Sequence, residues 1–306
     1  MSAFIEAHKA LGFAVELVCR ILGVSRSAHY ERASGRRSPR QVRDEQLLAT
    51  IRQVHEANFC AYGYRKMHLA LRRAGVEDVG RDRVKRLMRA NGIQGAKRRG
   101  KPWRTTVPDR DSARRPDLVE RDFTAAGPDE LYVADFTYLR CWEGLLLFAF
   151  VIDVYSRRVV GWQLAGHMRA SLVCDALRMA VCTRPRHGAD VELVHHSDRG
   201  SQYLGLDFAQ VLDDYDVLQS VGSVGDALDN ALAESFVDTI KTELIGDRVW
   251  RTRPQLELAI VEYLGWFNHD RLHSSLGDIP PAEFEHKALS STTVPDSPAS
   301  PARVPQ

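Results

Sequence analysis

Between residues 130 and 165 three strongly apolar segments follow one another, ELYVADFTYLR, LLLFAFVIDV and RRVVGWQLA, with little more than CWEG and a few polar residues between them. Their aromatic and β-branched content predicts strands. Connections this short join only antiparallel neighbours. The pattern then changes. SLVCDALRMAVCTR reads as a helix, VELVHHS as a strand, FAQVLDDY as a helix and DVLQSV as a fifth strand. LDNALAESFVDTIKTEL reads as a long helix and LELAIVEYLGWFNHD as a final one. The order βββαβαβα predicts an α/β fold with a mixed five-stranded sheet and flanking helices. Were the first strand central and the fourth beside it, the long helix could cross their ends.

Three carboxylates sit where that arrangement would bring them together. Asp135 lies in the middle of the first apolar strand, where a charge is costly unless paired or bound to metal. Taken alone, it is equally a strand Asp satisfied by backbone donors. Asp198 lies just past the strand VELVH, beside Gly200 and small polar residues, at the carboxyl end where open α/β sheets build sites. Alone it reads as a turn residue. Glu234 lies on the long helix, sharing a face with Asn230 and Lys241, and Asp238 is a competing carboxylate only about 40° away. Three convergent carboxylates repel one another unless cations neutralise them. Mg²⁺ is the natural ligand, a hard ion that leaves room for water and phosphate oxygens. Two ions roughly 3.5–4 Å apart would clamp an in-line displacement at phosphorus, so that no nucleophilic Ser or Tyr is required. Mn²⁺ is expected to substitute, and Lys241 is placed to hold a phosphate beside Glu234.

Charge is divided unevenly along the chain. Residues 1–110 hold 24 Lys and Arg against 10 Asp and Glu, and the remainder holds 18 against 30. A basic half joined to an acidic half predicts an arm that binds a polyanion. Of the 42 basic residues 35 are arginine, whose forked guanidinium suits phosphate. Within residues 14–32, AVELVCRILGVSRSAHYER suggests two short helices broken at Gly23. Residues 34–43 read as a linker. Helices follow from Val42 to about Ala57, from Tyr64 to Ala74, and from about Asp82 to the Asn91-Gly92 stop. The last carries Arg81, Arg83, Lys85, Arg86 and Arg89 opposite Val84, Leu87 and Met88, and Lys97, Arg98, Arg99, Lys101 and Arg104 come next. Ten basic residues with Asp82 as the only acid point to a DNA-binding module more than to a merely solvated face.

The five cysteines are scattered without a CxxC pair, and His55, Cys60 and His68 lack a second cysteine nearby. Buried free thiols are expected, rather than disulfides or a zinc site. The sequence has no apolar run of membrane-spanning length and no secretory start, so a cytoplasmic, nucleoid-associated protein is expected.

In order along the chain stand ADFTYL (134–139), VIDVYSRRVVGW (151–162), HSDRGSQY (196–203), DNALAESF (229–236), KTE (241–243) and WFNHDRLHSSLGDIPPAEF (266–284). Thirty-five residues separate Asp198 from Glu234. With these motifs the chain resembles the DDE transposases of bacterial insertion sequences, in particular the second-reading-frame (OrfB) product of two-frame elements. These are relatives of retroviral integrases in the rve catalytic-core group, with an RNase H-like fold. The likeness runs from about Phe13 to Phe284, and YGYRKMHLALRRAG with RVKRLMRANGI resembles the family's N-terminal helix-turn-helix segment. The resemblance implies that Asp135, Asp198 and Glu234 are the metal ligands. It also implies cleavage at element ends followed by strand transfer of the free 3′-OH, with DNA ends and target as partners and a homo-oligomer on DNA. Asp153 matches a family position outside the triad and is assigned a structural role with Arg157 or Arg158. His195, His196, Asn268, Arg271 and His273 are second-line candidates for DNA contact or packing, with packing favoured for the histidines.

VGSVGDALDN stands where the family usually has a basic, serine-rich stretch, and Asp226 adds a negative charge there. Active relatives are commonly frameshift fusions with an upstream segment, and sustained heptads are absent here. The chain therefore reads as the downstream product, with the upstream-frame product as a further possible partner. A non-catalytic DNA-binding accessory or inhibitor of the full transposase is the alternative. The expected layout is a short helix-turn-helix-like segment at 1–36, a helical DNA-binding domain at 40–104, a linker at 105–127, an RNase H-like core at 128–288 and a disordered tail at 289–306.

Overall fold

The computed structural model describes residues 1–34, 37–97, 117–119, 122–184, 192–198, 200–222 and 231–292. Three short helices open the chain, α1 (Ser2–Ala10), α2 (Val15–Ile21) and α3 (Arg26–Ala33), packed around Ile5, Val18 and Cys19. The first of them, α1, was not expected from the apolar pattern.

Next come α4 (Pro39–Ala57), α5 (Tyr64–Arg73) and α6 (Arg81–Ala90). The helix α4 begins inside the stretch expected to be a linker. Ser38 and Gln41 form a reciprocal capping box, with Pro39 in the first turn, which satisfies the first amides of the helix. Leu47, Ile51, Met67, Leu71, Val84, Leu87 and Met88 form the buried seam of these three helices.

The five strands are β1 (Leu131–Cys141), β2 (Gly144–Asp153), β3 (Val159–Ala165), β4 (Leu193–Ser197) and β5 (Val217–Val221), in the spatial order β3-β2-β1-β4-β5. The first three are antiparallel, and β4 and β5 add in parallel on the other side of β1. The strand β1 is therefore central, as expected. Gly144 closes the β1–β2 turn with φ 131°, a conformation that side-chain-bearing residues avoid. The helices of this region are α7 (Ser171–Thr183), α8 (Ser201–Leu204), α9 (Leu206–Asp214), α10 (Ala231–Ile240), α11 (Arg253–His269) and α12 (Pro281–Thr292). The four-residue α8 and the terminal α12 were not anticipated, and residues 289–292, expected to be disordered, are helical.

Strand alternation divides the core in two. Tyr132, Ala134, Phe136, Leu147, Ala149 and Val151 pack with α7 and α9. Leu131, Val133, Leu139, Phe148, Phe150 and Ile152 pack with α10 and α11, and that core runs on without a break into α4–α6. Hydrogen bonds fasten the junction, among them Trp266 Nε1 donating to Asn58 Oδ1 at 3.1 Å and the Leu272 amide donating to Tyr62 Oη at 2.9 Å. Part of the stretch expected to be a loose linker is also docked. The Leu118 amide donates to Ser220 Oγ at 2.9 Å, Val119 is buried, and Phe123 meets the edge of His196. Residues 105–116, 120 and 121 of that stretch lie outside the described residues.

Candidate active site

Asp135 belongs to the alternating set of β1 that faces α10. It is buried, and its Oδ1 accepts the Phe136 amide at 2.7 Å. In the parallel register Ala134 stands opposite Ser197, so Asp135 and Asp198 are the next residues on neighbouring chains, which run about 4.8 Å apart. Asp198 Oδ1 accepts the Gly200 amide at 3.0 Å. A Cβ at position 200 would lie 3.0 Å from that oxygen and 3.1 Å from Gln202 Oε1, so the tight turn favours glycine. Glu234 projects from α10, which packs on β1, and is exposed.

Electrostatics join the three. Burial pushes the Asp135 carboxyl up to about 8, with Asp198 adding to the shift and Glu234 adding less, while the Phe136 amide and Lys241 work against it. Glu234 is raised by burial and then by Asp238. Among the described residues no group of three or more His, Cys, Asp or Glu side chains is gathered closely enough to hold a metal ion. The fold thus brings Asp135 and Asp198 side by side, and puts Glu234 within electrostatic reach on a separate element.

Lys241 begins a π-helical turn, Lys241–Ile245, that continues α10. The long helix expected from the sequence is therefore interrupted, and such turns recur at functional sites. Burial lowers the Lys241 ammonium, and the nearby Asp135 and Asp238 carboxylates oppose that shift. The turn is held by Glu243, whose carboxylate accepts from Arg271 Nε at 2.8 Å, Arg271 Nη2 at 2.7 Å and Tyr263 Oη at 2.9 Å. Sequence reasoning gave Glu243 no role. The motif KTE could have signalled one, with Lys241 turned to the site and Glu243, two residues on, to the core. Tyr203 was missed as well. It is fully buried, its hydroxyl has no hydrogen-bond partner among the described residues, and Asp135 and Asp198 add to the upward push of burial on its phenol.

Other candidates resolve into structural roles. Asp153 is buried, but its carboxylate takes the Ser156 amide at 2.9 Å, the Ser156 hydroxyl at 2.5 Å and the Asp129 amide at 3.2 Å. The structural role expected with Arg157 or Arg158 is seen in the backbone, where the Asp153 amide donates to the Arg158 carbonyl and the Arg157 amide to the Asp153 carbonyl, both at 2.9 Å. Arg158 instead reaches Glu285 at 3.0 Å, beside Arg184, which binds both Asp129 and Glu285. His195 lies among Tyr203 and Phe208, and burial lowers it to about 3. His196 Nδ1 meets Ser220 Oγ at 2.9 Å. Asn268 clips the free edge of β3, accepting from the Val159 amide and donating to its carbonyl, both at 2.9 Å. Arg271 and His273 pack together beneath Phe267.

Of the basic face on α6, Arg81, Lys85 and Arg89 are exposed, as is Lys97 beyond the helix. Arg83 Nε and Arg86 Nη2 each bind Asp44 of α4 at 2.7 Å and so brace α6 against α4. Asn230, Arg98, Arg99 and Lys101 lie outside the described residues.

Residues 125–227 match the model of the integrase core domain family, residues 215–281 match a second integrase core domain model, and residues 42–101 match that of an HTH-like domain. A Mycobacterium tuberculosis protein named as the putative transposase of insertion sequence element IS986/IS6110 is 43% identical over 265 residues, which span 86% of this chain and 95% of the relative. The chain belongs to the insertion-sequence transposases. The IS629 transposase of Shigella sonnei is 40% identical to this transposase, across 89% of this chain and 92% of the relative. Transposase InsF of the Escherichia coli element IS3A is 33% identical, across 94% and 98%. Among solved structures, the HTLV-2 integrase catalytic core domain in complex with magnesium aligns at 15% identity and a TM-score of 0.42, across 53% of this chain and 100% of that one. No helix of the described residues is long and apolar enough to cross a membrane.

Proposed function

We propose that this transposase cleaves DNA at the ends of its element and joins the freed 3′ ends to target DNA, using divalent cations held by Asp135, Asp198 and Glu234. The observation that carries the reading is the placing of Asp135 beside Asp198, with Glu234 of a separate helix within electrostatic reach of them. A carboxyl on the central strand, raised to about 8 by burial and then by Asp198 and Glu234, is an arrangement that repulsion disfavours and a hard cation relieves. The donor set of carboxylate oxygens fits Mg²⁺, or Mn²⁺ in its place, and exposed Glu234 leaves one side open to a substrate. A bound pair of such ions would supply Lewis-acid activation of the attacking oxygen and charge neutralisation at the leaving 3′ oxygen.

The protein's own groups do the rest. The Phe136 and Gly200 amides fix the two aspartates. The π-turn, latched by Glu243 to Arg271, presents Lys241 beside Asp135, where its ammonium binds a non-reacting phosphate oxygen. Arg81, Lys85, Arg89, Lys97, Arg98, Arg99 and Lys101 supply the sequence-independent grip on the duplex, and Asn230 adds a polar contact ahead of Glu234. We assign residues 40–104 to DNA binding and 128–288 to chemistry. Two element ends call for a homo-oligomer on DNA, and the upstream-frame product is a candidate further partner.

The test is a strand-transfer assay with labelled end-containing duplex, with Mg²⁺ and with EDTA. Metal-dependent nicking and joining, lost in Asp135→Asn, Asp198→Asn and Glu234→Gln while DNA binding persists, is the expected result. Binding without nicking or joining by the unaltered protein would overturn it in favour of a non-catalytic accessory that occupies element ends.

A further inference from the structure

Across α10 from Glu234, α5, α10 and the loops after β2 and α11 enclose an open cleft of 370 Å³, lined among others by Lys66, Arg157, Arg271, His273, Ser235 and Ser275. Its charges are not balanced. Arg271 is neutralised by Glu243, but Lys66 and Arg157 make no ion pair among the described residues. Burial, with Arg271 adding to it, lowers Lys66 to about 8, against the pull of Glu243 and Asp278. Burial also lowers Arg157, against Asp153. Of these acids, Glu243 is already held by Arg271 and Tyr263, and Asp153 by Ser156 and the Asp129 amide, which leaves half-buried Asp278 as the one that offsets Lys66 in part. His273 offers no counter-charge. Burial, with Arg271, Lys66 and Arg157 each adding to it, brings it down to about 3, so it stands neutral with three cations around it.

The backbone adds an independent mark. Arg157 has φ 63°, a left-handed conformation uncommon for a residue with a side chain. It persists where surrounding structure enforces it, often at ligand clamps. Here the Arg157 amide donates to the Asp153 carbonyl at 2.9 Å, which closes the turn and sets the guanidinium at the cleft.

We infer that this cleft seats a phosphodiester of the DNA backbone, bound by Lys66 and Arg157 with hydroxyl donors from Ser235 and Ser275. Cations drawn partly out of water into one concavity are favourable only once an anion enters. The combination of Arg, Lys and Ser is the usual equipment for phosphate contact. Position favours DNA over a free anion. Ser235 is the next residue after Glu234 and forms the near rim of the cleft, whose other α10 residues, Leu232, Phe236 and Thr239, lie on the side of the helix turned away from Glu234. A strand with its reacting phosphate at Asp135 and Glu234 that passes around α10 by way of Ser235 presents a phosphate further along its backbone to the cleft. The inference rests on the transposase reading above and adds a backbone-positioning site to it.

The test uses the full chain and a short labelled duplex of arbitrary sequence, with affinity measured across a range of NaCl concentrations. Lys66→Gln and Arg157→Gln are each expected to weaken binding by roughly tenfold at low salt, irrespective of sequence, and to lower the slope of log Kd against log salt by about one. The double variant loses little further slope, because both cations share one phosphodiester. Lys66→Arg retains the slope. Ser275→Glu, at the exposed lip and away from the core, is expected to weaken binding even if the side chains of the floor prove intolerant of change. Unchanged affinity and slope in all of these variants would overturn the inference. The strand-transfer assay on the unaltered protein separates the two claims. Joining with an unaffected salt slope in the variants removes the cleft and keeps the enzyme. Absent joining with a reduced slope keeps the cleft and removes the enzyme.

Discussion

Replacing Asp135 by Asn should abolish chemistry and yet stabilise the metal-free protein. The native carboxyl sits at about 8 where the ordinary value is 3.8. A group whose folded pKa is raised contributes fully below its unfolded value and loses that contribution as pH rises towards the folded one. Between pH 4 and pH 7 the unfolded chain has released this proton while the native protein keeps it. At about 1.4 kcal/mol per pH unit, the native state then loses on the order of 3–4 kcal/mol by pH 7. Asn has the same shape, still accepts the Phe136 amide through its oxygen, and carries no charge to set against Asp198 and Glu234. Urea unfolding of both proteins in EDTA from pH 4 to pH 8 is the assay. Asp135→Asn should gain steadily on the parent protein with rising pH, with the two nearly equal at pH 4. Adding Mg²⁺ should stabilise the parent and leave the variant unmoved. Equal stability at pH 8, or a gap independent of pH, would refute the reasoning, because the aspartate would then be ionised and adequately solvated without a cation.

Glu243→Gln should cost about 3 kcal/mol in denaturant unfolding, because it strands the buried Arg271 guanidinium without its partner. It should also slow joining more than it weakens DNA binding, because the turn presenting Lys241 loosens. Gly161→Ala should cost at least about 3 kcal/mol, since the added Cβ would sit 2.1 Å from the Ala176 carbonyl oxygen and 2.8 Å from the Ala180 nitrogen, forcing α7 off β3; urea unfolding reads it directly, and a loss under about 0.5 kcal/mol would contradict the packing. His195 and His273 both fall to about 3 from an ordinary 6.5. Their depressed native values mean stability is whole above pH 6.5 and drains as acid protonates the unfolded chain, until about pH 3. His195→Phe should therefore flatten the acid limb of a stability-against-pH curve by about 1.4 kcal/mol per pH unit between pH 6 and pH 4; an unchanged limb counts against a neutral buried imidazole.

Sequence alone determined the antiparallel half of the sheet. Near-continuous apolar runs rich in aromatic and β-branched residues through β1–β3, with turns too short for any crossover, allow only an antiparallel trio, and the two-residue step between Val133, Asp135 and Thr137 puts them on one face of the strand. The positions of Asp198 past a strand end and Glu234 on a helix follow from local pattern in the same way. Helix boundaries set by side-chain capping were less legible, as the start of α4 at Pro39 inside an expected linker shows, because a capping box is worth little beside tertiary packing.

Tertiary structure alone decided what those residues meet. Parallel pairing of β4 on β1 sets Asp198 next to Asp135, although more than sixty residues lie between them along the chain. The π-turn at Lys241 is tied to the core through Glu243 and Arg271, a partner 28 residues away. Arg83 and Arg86, which read as part of a free basic face, are held by Asp44 on another helix. Periodicity reports which side of an element is apolar, since that depends on the element's own residues. Burial, charge compensation and the pKa of Asp135 depend on neighbours that the chain brings together only when it closes on itself.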